Sequence, residues 1–160
     1  MLEPQACIGA GDGVRERTGV PSGHGSGDRA IATGYNTNGT APSWQLRVDT
    51  ANTLKLVKWA VQEQTVNIGY SLQSSQWYHI VVAVDAGENR YYVNGVKVNN
   101  FTNNWDVATL ANQLIINQNT NIDAKYGKVQ LYNYALSDNA VKGLYNSECA
   151  DYSLSPVTRP

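Results

Sequence analysis

Charge is scarce in this sequence, and what there is cancels. Only 16% of its 160 residues are charged, 12 basic against 13 acidic, for a net charge of −1. With a pI near 6.1, the chain offers no electrostatic footprint for nucleic acid or anionic lipid. Long apolar runs are missing too. No window of about 18 apolar residues occurs, so nothing reads as inserting into a membrane as a spanning helix. No helical pattern of roughly 10–15 residues separates the apolar segments, which excludes the strand–helix alternation of a parallel sheet. The first residues, Met1 to Cys7, have neither the basic region nor the apolar stretch of a secretory leader. The expected origins are therefore a processed chain, a recombinant piece of one, or a protein released by assembly and lysis. Phosphate-binding and dinucleotide-binding glycine motifs are also missing, as is any Ser/His/Asp constellation.

What is present favours strands. Ten tyrosines and four tryptophans stand against a single Phe and a single Met. Short runs of β-branched and aromatic residues recur between turn clusters, with expected strands at 29–35, 43–49, 53–60, 65–70, 76–85, 90–93, 96–99, 114–117 and 128–134. Trp44, Leu46 and Val48 alternate, as do Leu54 and Leu56, which predicts one buried and one wet face for each strand. Residues 9–28 are rich in Gly, Ser, Arg and Asp without periodicity and read as irregular.

Two blocks carry more specific information. Residues 76–98 read Q-W-Y-H-I-V-V-A-V-D-A-G-E-N-R-Y-Y-V-N-G-V-K-V, an antiparallel meander. Its Asn94-Gly95 pair suits a type I′ hairpin, whose two central residues both need positive φ. Residues 127–146 read G-K-V-Q-L-Y-N-Y-A-L-S-D-N-A-V-K-G-L-Y-N. Val129, Leu131 and Tyr132 suit a last strand, and Ser137 sits where an N-cap belongs, with Asp138 favoured in the first turn by the helix dipole. Val141, Leu144 and Tyr145 then share one face of a turn or two of helix.

Together these blocks resemble the concanavalin A-like lectin/glucanase superfamily, in particular its laminin G-like jelly-roll domains. The resemblance implies an all-β, two-sheet antiparallel jelly-roll β-sandwich with a short C-terminal helical turn. It divides the chain into an irregular Gly/Ser-rich segment at 1–28, a laminin G-like sandwich at 29–148 and a tail at 149–160. The family's opening strands have no counterpart in residues 1–28. Either the chain is a fragment lacking them, a neighbouring chain supplies a strand, or the segment wraps the core itself. Self-association, or association with other components of an assembly, is expected on that ground.

The superfamily also includes glycanases, whose chemistry needs two carboxylates roughly 5–9 Å apart. Their E-x-D-x-[x]-E pattern does not occur here; Glu3, Glu16, Glu63, Glu88 and Glu148 are each isolated or in a turn or tail. His24 lies in a Gly/Ser segment, and His79 reads as a satisfied core residue rather than a base. A non-enzyme is expected.

Carbohydrate contact is expected at loop residues that combine aromatic faces with amide and carboxylate groups: Tyr35, Asn36, Asn38, Asn104, Trp105 and Asp106. Trp44 and Trp77 fit core positions instead. Calcium is the one cofactor to consider, with Asn119, Asn121 and Asp123 as oxygen donors, although Asp123 alone is anionic there. Jelly rolls bring their ends together, so the two cysteines, Cys7 and Cys149, are candidates for a disulfide worth roughly 3–5 kcal/mol. The sequons at Asn38 and Asn100 matter only on a eukaryotic secretory route. The expected role is a non-catalytic binding or adhesion module that recognises a glycan or cell-surface polysaccharide. The alternative is a decoration or fibre protein of a virion or other extracellular assembly, and either role places the chain outside the cell or on a virion surface.

Overall fold

A computed structural model describes residues 6–11, 28–35, 42–59, 63–73, 76–85, 88–102, 113–116, 125–132, 134–152 and 154–157. In chain order the strands are β1 (Ala6–Gly11), β2 (Arg29–Tyr35), β3 (Pro42–Val48), β4 (Thr53–Trp59), β5 (Glu63–Ser71), β6 (Tyr78–Asp85), β7 (Glu88–Val93), β8 (Val96–Phe101), β9 (Gln113–Ile116) and β10 (Lys125–Gln130). Helix α1 (Asp138–Glu148) and a 3-10 turn (Cys149–Tyr152) follow. The strands form two antiparallel five-stranded sheets, each in its own compact unit. The all-β, two-sheet class expected from the sequence is the one observed.

The first sheet has the order β10-β1-β6-β7-β8. Its centre is the meander. Asn94 and Gly95 take φ of 50° and 74°, the positive values that the two-residue turn demands. Every residue of β6 from Tyr78 to Val84 is buried, so both faces of this β-branched strand are covered. On one face Val81 and Ala83 join Tyr92, across the Val81↔Tyr92 register, in a cluster with Leu136 and Val141. Burying such side chains stabilises by about 1.5–3 kcal/mol each, which is what docks α1 on this face. Ser137 caps α1, its side chain accepting from the Ala140 amide at 3.2 Å, and Val141 and Tyr145 are the buried stripe. The helix has 11 residues, longer than the expected turn or two.

Three expectations need correction in this sheet. Ala6–Gly11, read as the start of an irregular segment, is an inner strand paired with both β6 and β10. Its small residues give no alternation to read, yet its backbone completes the sheet where a neighbour's strand had been envisaged. The last strand ends at Gln130 rather than 134, and Leu131 beyond it is 51% exposed. Trp77, expected at a core position, and Tyr132, expected on the last strand and largely buried, are only half-buried.

The second sheet has the order β5-β4-β3-β2-β9. Ala32, Leu46, Leu56 and Val66 line up across four strands as its apolar row. The other face of β3 is not wet as expected. Gln45 and Arg47 are buried there, Arg47 Nε donating to Gln45 Oε1 at 2.6 Å and its guanidinium lying 3.8 Å from Asp28. Mutual pairing is what makes that burial tolerable. The β3–β4 turn is held by Asp49, whose carboxylate accepts from the Ala51 and Thr53 amides at 2.9 Å and meets Lys55 at 3.0 Å. Desolvation opposes ionisation of Asp49, but these amides and the Lys55 ammonium outweigh it and lower its pKa.

Candidate functional site

Most of the loop residues singled out from the sequence, Asn36, Asn38, Asn104, Trp105, Asp106, Asn119, Asn121 and Asp123, lie outside the described residues. Tyr35 is the last residue of β2, and its backbone pairs with Gln113, the first of β9. The exit of β2 and the start of β9 therefore share one end of the second sheet. Cys7 stands on β1 opposite Val81 and Gln130. Cys149 is a free, buried thiol whose Sγ is turned to the carbonyl of Asn146 at 3.6 Å. The expected Cys7–Cys149 clasp is not formed in this structure. Among the described residues no group of three His, Cys, Asp or Glu side chains could hold a metal ion.

The site the described residues do build is on the helix face of the first sheet. Trp77 leads into β6, and His79, two residues on, lies on the same face as Val81 and Ala83. The chain leaves α1 through the 3-10 turn, which brings Tyr152 against Trp77 with ring centroids 4.8 Å apart and planes tilted by 51°. Tyr145, one turn back in the helix, places its ring 5.6 Å from the imidazole. Two glycines make these approaches possible. A Cβ on Gly127 would collide with the Tyr152 hydroxyl, and one on Gly95 would lie 2.8 Å from the Tyr145 ring. The segment after the turn is tied back: Tyr145 donates to the Ser155 carbonyl at 2.7 Å, and the Val157 amide donates to Asn146 Oδ1 at 2.9 Å.

These groups enclose a pocket with His79, Tyr145 and Cys149 inside and Trp77, Tyr152 and Leu154 around them. Its free volume, about 20 Å³, is room for about one water-sized group. Lys128 and Glu148 also line it and form an ion pair with each other. That bond raises the Lys128 pKa. His79 is 8% exposed, and neither ring nitrogen has a hydrogen-bond partner among the described residues. Burial lowers its pKa, and the nearby Glu148 carboxylate opposes this only in part, so the imidazole is neutral near pH 7. A neutral imidazole offers one donor and one acceptor. The pocket is thus a small, mostly apolar socket with the buried imidazole in its wall and an ion pair beside it.

The expectation of a satisfied core histidine is corrected here: His79 is in the core, but its ring nitrogens have no hydrogen-bond partner among the described residues. Sequence reasoning also missed Tyr145, Glu148 and Tyr152 as its neighbours. The two blocks that meet here, 76–98 and 127–146, were visible, but Tyr152 lies beyond both and reaches Trp77 only through the turn after α1.

Comparison with known proteins places the chain. A family model of the concanavalin A-like lectin/glucanases superfamily matches residues 20–142. No curated protein matches the chain in sequence. Among solved structures, domain 4 of AbnA, a GH43 extracellular arabinanase from Geobacillus stearothermophilus in complex with arabinotriose, is similar at 16% identity and TM-score 0.64, over 90% of this chain and 66% of that one. The botulinum neurotoxin type G receptor binding domain is similar at 13% identity and TM-score 0.67, over 91% of this chain and 38% of that one. Trypanosoma rangeli sialidase in complex with sialic acid is similar at 18% identity and TM-score 0.62, over 91% of this chain and 23% of that one. The chain therefore spans less than two thirds of each of these structures, and at such identities the likeness is one of fold. The chain belongs to the concanavalin A-like lectin/glucanase superfamily, and its fold class is the jelly roll.

Proposed function

We propose, from that membership, that the chain is a non-catalytic carbohydrate-recognition module and that the pocket beneath Tyr152 is one of its sugar contacts. The observation that carries this is the tilted, half-buried Trp77–Tyr152 pair, two aromatic rings that line a small pocket together. Sugars are held by aromatic faces against their C–H groups and by a few placed hydrogen-bonders. Two similar solved structures, an arabinanase domain in complex with arabinotriose and a sialidase in complex with sialic acid, support carbohydrate as the ligand class.

The chemistry of the pocket supports binding without turnover. Glycoside hydrolysis takes two carboxylates. Glu148 is the one carboxylate among the lining residues, and Lys128 occupies it. Incubation with β-glucans, galactans and arabinans should release no new reducing ends. Turnover that disappears in Glu148→Gln would overturn the non-catalytic reading. Binding is tested by titrating oligosaccharides while recording Trp fluorescence and amide shifts. Perturbations at Trp77 and Tyr152 are expected, and saturation with these residues silent would remove the pocket from the site.

A structural role in an extracellular or virion assembly is the second reading. It is favoured by apolar groups left on the surface, Val96 at 49%, Leu131 at 51% and Tyr134 at 57% exposure. Light scattering at tens of micromolar decides it, since a monomer would leave those groups without a partner copy.

A further inference from the structure

We propose that the β10 edge of the first sheet, on its helix face, binds the interior of a neutral linear polysaccharide, several sugar units lying lengthwise from the Trp77–Tyr152 pair to Tyr134. This adds a second aromatic subsite to the carbohydrate reading above and rests on that reading.

The edge is shaped for display by one extra residue. Between the Ile8↔Val129 and Ala10↔Tyr126 pairings, β10 has two residues, 127 and 128, where β1 has one. A bulge of this kind re-aims side chains at a sheet edge. Gln130 stands opposite Cys7, and Cys7 opposite Val81, so Gln130 shares the face on which Val81 packs beneath α1. Lys128, two positions earlier, is on that face too and pairs with Glu148 of α1. Gly127 faces the same way, and the Tyr152 ring takes the room its missing side chain leaves. A regular strand would have sent Gly127 and Lys128 to opposite faces.

An aromatic pair closes each end of this row. Trp77 and Tyr152 meet at Gly127, with centroids 4.8 Å apart. At the other end the Tyr132 hydroxyl donates to Gln130 Oε1 at 3.2 Å, and Tyr134 meets the Tyr132 ring edge-on at 5.8 Å. Lys128 lies between, within electrostatic reach of both Tyr132 and Tyr152. From Gly127 to Gln130 the row runs about 9–10 Å at roughly 3.3 Å per residue, longer than one pyranose ring. It is open: Lys128 and Tyr134 are exposed, and Gln130, Tyr132 and Tyr152 are half-buried.

Aromatic groups at both ends with amide and ammonium between them match a sugar chain, whose C–H faces lie on rings and whose hydroxyls meet the polar groups. The pocket beside Tyr152, at about 20 Å³, admits no sugar ring, so the chain lies across the surface instead of entering by its end. Glu148 already meets the charge of Lys128, so a chain of uronates finds no unmatched cation in the row.

The test titrates the full chain with linear oligosaccharides of two to six units, of glucose, mannose, xylose, arabinose and galacturonate, by calorimetry at pH 7.5. At least one neutral series should bind, with affinity rising at least tenfold from two units to six, and galacturonate should bind at least tenfold more weakly. Two variants separate the ends. Gly127→Ala, whose added methyl displaces the end of the Tyr152 side chain, should weaken every length. Tyr134→Ala, at a 57% exposed position, should keep the melt and weaken six units at least tenfold, but two units far less. Affinity independent of length, or Tyr134→Ala silent at six units, overturns this inference and leaves the carbohydrate reading standing. A dimer that Tyr134→Ala turns into a monomer assigns that ring to a contact between copies and overturns it as well. No binding to any of the five series overturns both.

Discussion

Two buried polar side chains, Arg47 in the second sheet and His79 in the first, show opposite solutions to the same problem. Both lie on a strand covered on both faces, and both are under a tenth exposed. Arg47 closes its account internally, with Gln45 at 2.6 Å and Asp28 at 3.8 Å. His79 has Tyr145 against its ring but no hydrogen-bond partner on its nitrogens among the described residues. A buried polar group that is satisfied specifies structure, whereas one left unpaired carries its desolvation cost into the folded state. Other side chains also lack partners, Thr33 and Trp44 in the second sheet and Asn89 and Tyr91 in the first, but none of them lines the pocket. A place in a pocket wall, rather than want of a partner alone, sets His79 apart.

The largest expected effect breaks the satisfied side of that comparison. Arg47→Ala removes the donor to Gln45 and the cation beside Asp28, and breaking a buried pair typically costs about 3–5 kcal/mol. Denaturant melts should show that loss with the slope unchanged. A cost below about 1 kcal/mol would mean the pair behaves as a solvated surface contact, and the contrast with His79 would collapse.

Next is the open side. Tyr152→Ala takes away one half of the aromatic mouth, and oligosaccharide affinity should fall at least tenfold, about 1.4 kcal/mol. Tyr152 is half-buried and lies after the helix, so the melt should move less than for Arg47→Ala. The reverse order, with stability lost and affinity kept, would make Tyr152 a packing residue only.

How much of this was legible follows from where the physics was local. The Asn94-Gly95 turn and the Ser137 cap depend on a few adjacent residues, and the sequence spells both. The alternation that puts Leu46 and Leu56 in the apolar row was visible. Ala6–Gly11 was not, because a strand of small residues held between two others announces itself through partners, not through pattern. Gln45 and Arg47 read as a wet face since polarity usually means solvent; their burial rests on each other and on Asp28, which lies 19 positions before Arg47 in sequence. The pocket was illegible for a related reason. His79 and Tyr152 come together only after α1 has docked, and nothing near either residue encodes the other.

A smaller effect tests that docking. Ser137→Ala removes the acceptor for the Ala140 amide and should cost about 1 kcal/mol of stability. Because α1 carries Tyr145, the variant should also raise hydrogen exchange at 138–141 before it alters the meander. If exchange in β6 rises equally, helix and sheet open as one unit and the pocket is more rigid than drawn here.

The smallest effect is the most discriminating, because His79 and the shifted carboxylates titrate in separate windows. Burial holds the His79 pKa below the ordinary 6.5, with Glu148 opposing only in part. Below pH 6.5 the unfolded chain therefore binds a proton at this position that the folded chain resists, and stability falls as pH falls toward the lowered folded value. Above 6.5 neither state is protonated and the curve is flat. Asp49 in the second sheet behaves differently. Its folded pKa is lowered from 3.8, so its stabilisation is complete above that value and is lost only as pH falls through the lowered one. Asp138 on α1 shares that acid window, lowered by Lys97 first and then by the Tyr92 hydroxyl. Denaturant midpoints measured from pH 7.5 down to about 4.5 should thus decline gently in the native chain and stay level in His79→Gln. A slope that survives His79→Gln would assign the window to another group and return His79 to an ordinary core position.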